Sequence, residues 1–187
     1  MKIEQLPSSS KVLGIEGFRI LTESEMKEVV DSVRGVNPDL CIQLFDSDKV
    51  AGADHLRFAV LNAMKAFASK TNVSENLAIE ILLYASGRTQ IGEAIRLLGT
   101  TDNTKNLALL IVADNETLIC ESLAKIHSLV PGTVDDSILD KWNAEEVVRL
   151  FDIKEEEIRA VRRRGESLKS SIYRLVLERM AILSTRA

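Results

Sequence analysis

Aromatic side chains are scarce: five Phe, two Tyr and one Trp make up 4% of the 187 residues. A nucleic-acid platform of stacked aromatics is thereby excluded, and any contact with a polynucleotide has to be mostly electrostatic. Only two cysteines occur, Cys41 and Cys120, far apart and in no C-x-x-C pair. That excludes a disulfide scaffold, argues against a structural zinc site and points to free thiols in a reducing compartment. Long apolar runs are missing too. The longest, Leu77 to Ala85, is interrupted by Glu80 and falls far short of the roughly 20 residues a bilayer span needs. Met1 to Gln5 has no apolar signal core behind it, so a cytoplasmic protein without membrane contact is expected. Nor does positive charge dominate: 24 Lys and Arg against 28 Asp and Glu give a net charge of -4. No whole-protein field draws in polyanions, and any basic surface has to be local.

What is present is globular composition, 45% hydrophobic and 28% charged, in a chain of one domain's length. Leu56, Ala59, Val60, Ala63, Met64 and Phe67 repeat at the spacing of one helix face, so a long amphipathic helix is predicted from Asp54. Ser74 is placed to cap a second helix over Glu75 to Ala85, apolar nearly all round and hence buried on several sides. Ser86-Gly87 stops it. Thr89 is placed to cap a third helix carrying Ile91, Ala94, Ile95 and Leu98, with Gly99 as its left-handed close. Thr22 to Val33, capped by Thr22 with Glu23 and Glu25 in its first turn, and Glu116 to Leu129 are further helices. Strands are predicted at Lys11 to Ile20, with close backbone approach at Gly14 and Gly17, at Leu40 to Phe45, and at Leu107 to Val112, the most hydrophobic and therefore central. The fold class is α/β bordering on α+β: a small mixed sheet packed with several helices in a single compact domain, residues 1–187.

Charge is segregated towards the C-terminus. Residues 135–157 carry nine acidic and three basic groups, residues 158–187 eight basic and two acidic, so the two stretches are expected to neutralise each other in part. A final helix from about Ser167 is apolar at Leu168, Ile172, Tyr173, Val176, Leu177, Met180 and Leu183, leaving a narrow polar stripe at Ser170, Ser171, Arg174 and Glu178. That girth fits contact with both the core and another protein, or burial in a larger core.

Catalytic patterns are hard to find. Gly87-Arg88-Thr89-Gln90-Ile91-Gly92 has the glycine spacing of a phosphate loop, but Glu93-Ala94 follows where that loop needs Lys and Ser or Thr, and a helix rather than a strand precedes it. Asp54 and His55 are adjacent and do not face each other on a helix, so Asp54 reads as a cap or dipole partner. His127 lies near a helix C-terminus, and no metal-ligand spacing involves either histidine. No G-x-S-x-G elbow occurs, and Asp135-Asp136 lacks an EF-hand's spaced ligands. Neither a metal nor a cofactor is expected. The polar turn Ser86 to Gln90 presents a guanidinium, an amide and helix N-terminal N–H groups together, which suits a phosphate or a base edge. A tight connection with a solvated Arg is the other reading.

Glu80 to Gly99, read as EILLYASGRTQIGEAIRLLG, resembles the signature of the small accessory subunit of the KEOPS complex, the TPRKB-like family. Glu16-Gly17, the Asp54 helix, the Leu107 strand, Thr133 to Leu139 and Glu178 to Leu183 follow the family's order, so the resemblance covers most of the chain. It implies a compact noncatalytic subunit that binds the complex's atypical kinase or ATPase subunit, and through it indirectly the catalytic subunit that makes threonylcarbamoyl-adenosine in tRNA. It also implies that tRNA is recruited through its 3′ CCA end. The family has Arg immediately before the Gln-Ile pair, where this chain has Thr89 with Arg88 one position earlier. Residues 151–166, with Arg162-Arg163-Arg164-Gly165, form a charged insertion, carrying extra tRNA affinity or simply solvated, before the C-terminal helix 167–184.

On this reading Lys65, Lys70, Arg88 and Gln90, with Arg162, Arg163 and Arg164, contact tRNA, and Tyr173, Leu177 and Met180 contact the kinase-like partner. The alternative is a small-molecule or anion-binding α/β protein, possibly hydrolytic, that uses the Gly87 turn for an anion.

Overall fold

Leu107 to Ala113 contains no polar residue, the pattern of a strand covered on both faces. In the computed structural model, which describes residues 1–7, 9–21 and 26–184, it is the interior of β4 (Asn106–Ala113), flanked by β2 (Val12–Ile20) and β3 (Cys41–Asp46). β1 (Lys2–Gln5) pairs with the other edge of β2 along residues 12–15, and β5 (Gly132–Val134) takes up that edge at residues 18–20. Every one of these pairs is antiparallel, so the small sheet is not mixed as the sequence reading had it. Between β1 and β5 stands Gly17, where a Cβ would lie 2.5 Å from the carbonyl oxygen of Asp135. That close approach lets the Asp135 N–H reach the Gly17 carbonyl at 2.8 Å and the Asp136 carboxylate accept from the Gly17 N–H at 2.9 Å.

The chain gathers into two compact units, residues 1–47 with 99–140 and residues 48–98 with 141–187. The first holds the sheet with α1 (Met26–Gly35), α5 (Glu116–Leu129) and the single turn α6 (Ser137–Asp140). Val29 and Val33 of α1 and Ile119, Leu123 and Ile126 of α5 bury themselves with Ile42, Leu44, Leu109 and Ile111, alternate residues of neighbouring strands. α5 has the predicted bounds because Asn115 caps it, accepting from the Leu118 N–H at 3.0 Å. The predicted start of the preceding helix, Thr22 to Glu25, lies outside the described residues.

The second unit is helical: α2 (Ala53–Ser69), α3 (Leu77–Ser86), α4 (Ile91–Leu98), α7 (Ala144–Leu150), α8 (Glu155–Val161) and α9 (Leu168–Ser184). α3 packs on α2, α4 and α9, burying Ile81, Leu82 and Leu83 together, as its all-round apolar sequence requires. Its cap is Asn76, not Ser74. The Asn76 carboxamide accepts from Ala78 and Ile79, while the Ser74 hydroxyl accepts from the Asn76 N–H and shapes the turn ahead of it. The left-handed close expected of Gly99 is absent; Gly52, Gly87 and Gly165 are the described glycines with positive φ.

Among the described residues, no helix is long and apolar enough to cross a membrane.

Candidate functional site

The turn between α3 and α4 is held by its own backbone. Gly87 takes φ 63°, a left-handed conformation that a residue with a Cβ adopts at a cost. Its N–H and that of Arg88 return to the carbonyls of Tyr84 and Leu83 at 3.1 and 3.2 Å, closing the helix in the manner of a C-cap motif. Buried Ser86 is spent on the same turn, donating to Leu83 at 3.0 Å and accepting from the Arg88 N–H at 3.3 Å. Beyond these bonds, Arg88, Thr89 and Gln90 stand exposed before α4 begins at Ile91. The segment joins two helices, so the phosphate-loop reading of its glycine spacing has no structural support.

Beside the turn lies a cleft of about 300 Å³ walled by Gly87, Arg88, Phe151, Asp152, Arg179 and Ile182. α7 ends there. Phe151 is its C-cap, and the residue after it, Asp152, sits at φ 48°, a left-handed position that Asp tolerates better than most residues. The Asp152 carboxyl is held below the usual carboxylate range, first by its hydrogen bond from the Lys154 ammonium, 2.5 Å away, and then by the charges of Lys154, Arg179 and Arg88. Arg179 reaches across to α8, its Nη2 2.6 Å from Oε1 of Glu157. Glu157 also accepts the Lys154 N–H through Oε2 at 2.8 Å, and that bond, with Arg179 second, keeps its carboxyl low. An acid of the negative stretch thus meets an arginine of the positive stretch, as the charge segregation foreshadowed.

Of the residues singled out for tRNA, Arg88 alone lines the cleft. Gln90 is exposed two positions along the turn; Lys65 is exposed on α2, and Lys70 is its left-handed C-cap at φ 56°. Arg162, Arg163 and Arg164 are exposed where α8 ends, with the Arg163 N–H donating to Glu166 at 3.1 Å. The insertion is therefore part helix, and that helix buries no side chain. On α9, Tyr173 and Leu177 are half-buried, whereas Met180 is 1% exposed and belongs to the helical core, out of a partner's reach. Ser171, expected on the polar stripe, is also fully buried. Nothing in the sequence singled out Arg179, whose partner Glu157 is 22 positions away.

The remaining polar groups are structural. His55 is fully buried, with Nδ1 accepting from the Ala51 N–H at 3.0 Å and Nε2 2.8 Å from the Ala85 carbonyl. Burial pushes its pKa down to about 4, so the ring is neutral and has no free nitrogen for acid-base work. Asp54 is exposed in the first turn of α2, where Gly52 takes the cap position. His127 does more than sit at a helix end: its Nε2 is 2.6 Å from Oε1 of buried Glu16, and its ring stacks on Phe18. Burial drives the Cys41 thiol up to about 12, so it stays protonated and is no nucleophile at neutral pH. Among the described residues, no group of three His, Cys, Asp or Glu is arranged to hold a metal. This geometry can bind an anion at an exposed turn.

Residues 18–184 match the family model for the kinase binding protein CGI-121, a span that takes in both the Gly87 turn and α9. Over 145 residues the chain is 32% identical to the regulatory protein Cgi121 of Methanocaldococcus jannaschii, covering 76% of this chain and 84% of that protein.

Proposed function

Because the chain belongs to the CGI-121 family of kinase-binding proteins, we propose that it is a noncatalytic regulatory subunit of the KEOPS tRNA threonylcarbamoyl-adenosine complex. In this role it binds the complex's atypical kinase or ATPase subunit and recruits tRNA through the 3′ CCA end, in the cytoplasm. The observation that carries the reading is the family match over residues 18–184.

The exposed turn supplies the RNA contact. A single-stranded end leaves its bases unpaired, and the Arg88 guanidinium and Gln90 amide are the groups that hydrogen-bond phosphates and base edges. Lys65, Lys70 and Arg162 to Arg164 add exposed positive charge on the same helical unit. With a net charge of -4 overall, few phosphates are engaged at once, so binding is weak and its salt dependence shallow. Tyr173 and Leu177, half-buried on α9, form the partner surface.

Co-expression with the kinase-like subunit, followed by purification and mass measurement of the complex, tests the assignment. A stable assembly that retains tRNA is the expected result; a lone chain retaining a small nucleotide would replace this reading with that of a small-molecule binder.

A further inference from the structure

Arg88 and Arg179 line one cleft, but their guanidinium groups are in different states. Arg88 is exposed, with Asp152 the acid in whose field it lies. Arg179 is occupied by Glu157, which approaches to 2.6 Å from α8. A carboxylate on a guanidinium fills the place that a phosphate would take, since both anions accept the same pair of N–H donors. We propose that this cleft is a phosphate site in which Glu157 masks Arg179, and that withdrawal of Glu157 opens it to a phosphate of single-stranded RNA beside Arg88. The naming of RNA rests on the recruiting role proposed above; the masked cleft rests on its own geometry.

The masking helix is built to leave. α8 has seven residues, none fully buried, with Glu157, Ile158 and Val161 half-buried, and so short a helix has little stability of its own. Its charged contact with α9 is the Glu157–Arg179 pair, whose side chains retain 33% and 25% of their exposure. Such a half-solvated pair is worth little and exchanges readily for a competing anion. While the pair is closed, Arg88, Arg179 and Lys154 face two acids, Asp152 and Glu157, and the cluster keeps a single net positive charge to offer a phosphate. With Glu157 gone, both arginines face Asp152 alone, which Lys154 already engages.

Glu157→Gln isolates the effect. Glutamine keeps the oxygen that accepts the Lys154 N–H, so the α8 cap survives, while the negative charge set against Arg179 disappears. Affinity of the full-length chain for a labelled single-stranded RNA ending in CCA is measured by fluorescence anisotropy over a salt series, with inorganic pyrophosphate as a second probe and far-UV circular dichroism as a check of folding. Glu157→Gln is expected to tighten RNA binding roughly threefold to fivefold and to steepen the salt slope by about 0.7, the signature of one more phosphate on a single strand. Arg179→Ala in the same background cancels the gain. Unchanged affinity and slope in Glu157→Gln, or a gain that survives Arg179→Ala, overturns the masking. If the wild-type chain still binds RNA through Arg88, the recruiting role stands without it. Conversely, an Arg179-dependent gain for pyrophosphate with no RNA binding leaves the masked phosphate site standing and removes RNA, and the recruiting role with it. No binding of either probe by either chain overturns the site altogether.

Discussion

The Nε2–H of His55 donates to the carbonyl of Ala85 at 2.8 Å, tying the start of α2 to the end of α3 directly before the Gly87 turn. Its tautomer is forced, because Nδ1 already accepts the Ala51 N–H.

Burial of that ring, against the opposing pull of the Ala85 hydrogen bond, makes stability depend on acid. The folded ring protonates only near pH 4, against an ordinary value of 6.5, so between those limits the unfolded chain binds a proton that the folded chain does not. Stability from this residue is fully present above about pH 6.5 and falls as pH drops towards 4, by about 3 kcal/mol in all. His55→Gln should cost about 1–3 kcal/mol at pH 7 through its disrupted hydrogen bonds and lose this part of the acid sensitivity. Urea unfolding of both chains at pH 7 and pH 4.5 measures the difference; equal pH dependence would contradict the burial of a neutral ring.

Glu80, 1% exposed, accepts the N–H groups of Val73 and Ser74 at 3.1 and 2.8 Å and closes the loop ahead of α3. Glu80→Ala leaves two donors without acceptors and should destabilise by about 2–3 kcal/mol, whereas Glu80→Gln, which keeps one acceptor oxygen, should cost less. Chemical denaturation orders the three chains, and an alanine variant as stable as wild type would contradict the pairing.

Elements with many periodic positions were legible in the sequence. α5 has its predicted bounds, α2 starts one residue before Asp54, α3 differs at its ends by a residue or two, and β4 is the inner strand that its unbroken apolar run announces. β1, β5, α6, α7 and α8 were not found, because three to seven residues are too few to show a period. At the site, Arg88 was legible as part of a polar turn between apolar helices. Arg179 was not, since a lone basic residue on a helix looks solvated until its neighbour in space is known. Met180 erred the other way: its apolar character fits a partner surface and a core equally, and only packing against the rest of the helical unit decides between them.

The partner surface predicts a loss of assembly. Leu177 is half-buried on α9, and a glutamate there would carry an unpaired charge into an apolar interface at a cost of several kcal/mol. Leu177→Glu should therefore fold but fail to co-purify with the kinase-like subunit. A folded variant that binds with unchanged affinity would place the interface elsewhere.

The isolated protein should hydrolyse neither ATP nor simple esters. His55 has both ring nitrogens engaged and Cys41 is a half-buried thiol held protonated, so neither is poised as base or nucleophile. Phosphate-release and chromogenic ester assays check this; turnover that co-elutes with the protein and is lost in His55→Gln would contradict it.

The proposed recruitment of tRNA sets its terminal single strand against the turn at Arg88. Binding of intact and CCA-trimmed tRNA, measured at one fixed ionic strength for wild type and for Arg88→Glu, tests it most directly. Trimming should weaken wild-type binding far more than a change in the anticodon loop does, and Arg88→Glu should weaken binding of intact tRNA more than tenfold, about 1.4 kcal/mol. Equal affinity for intact and trimmed tRNA would contradict both the site and the role.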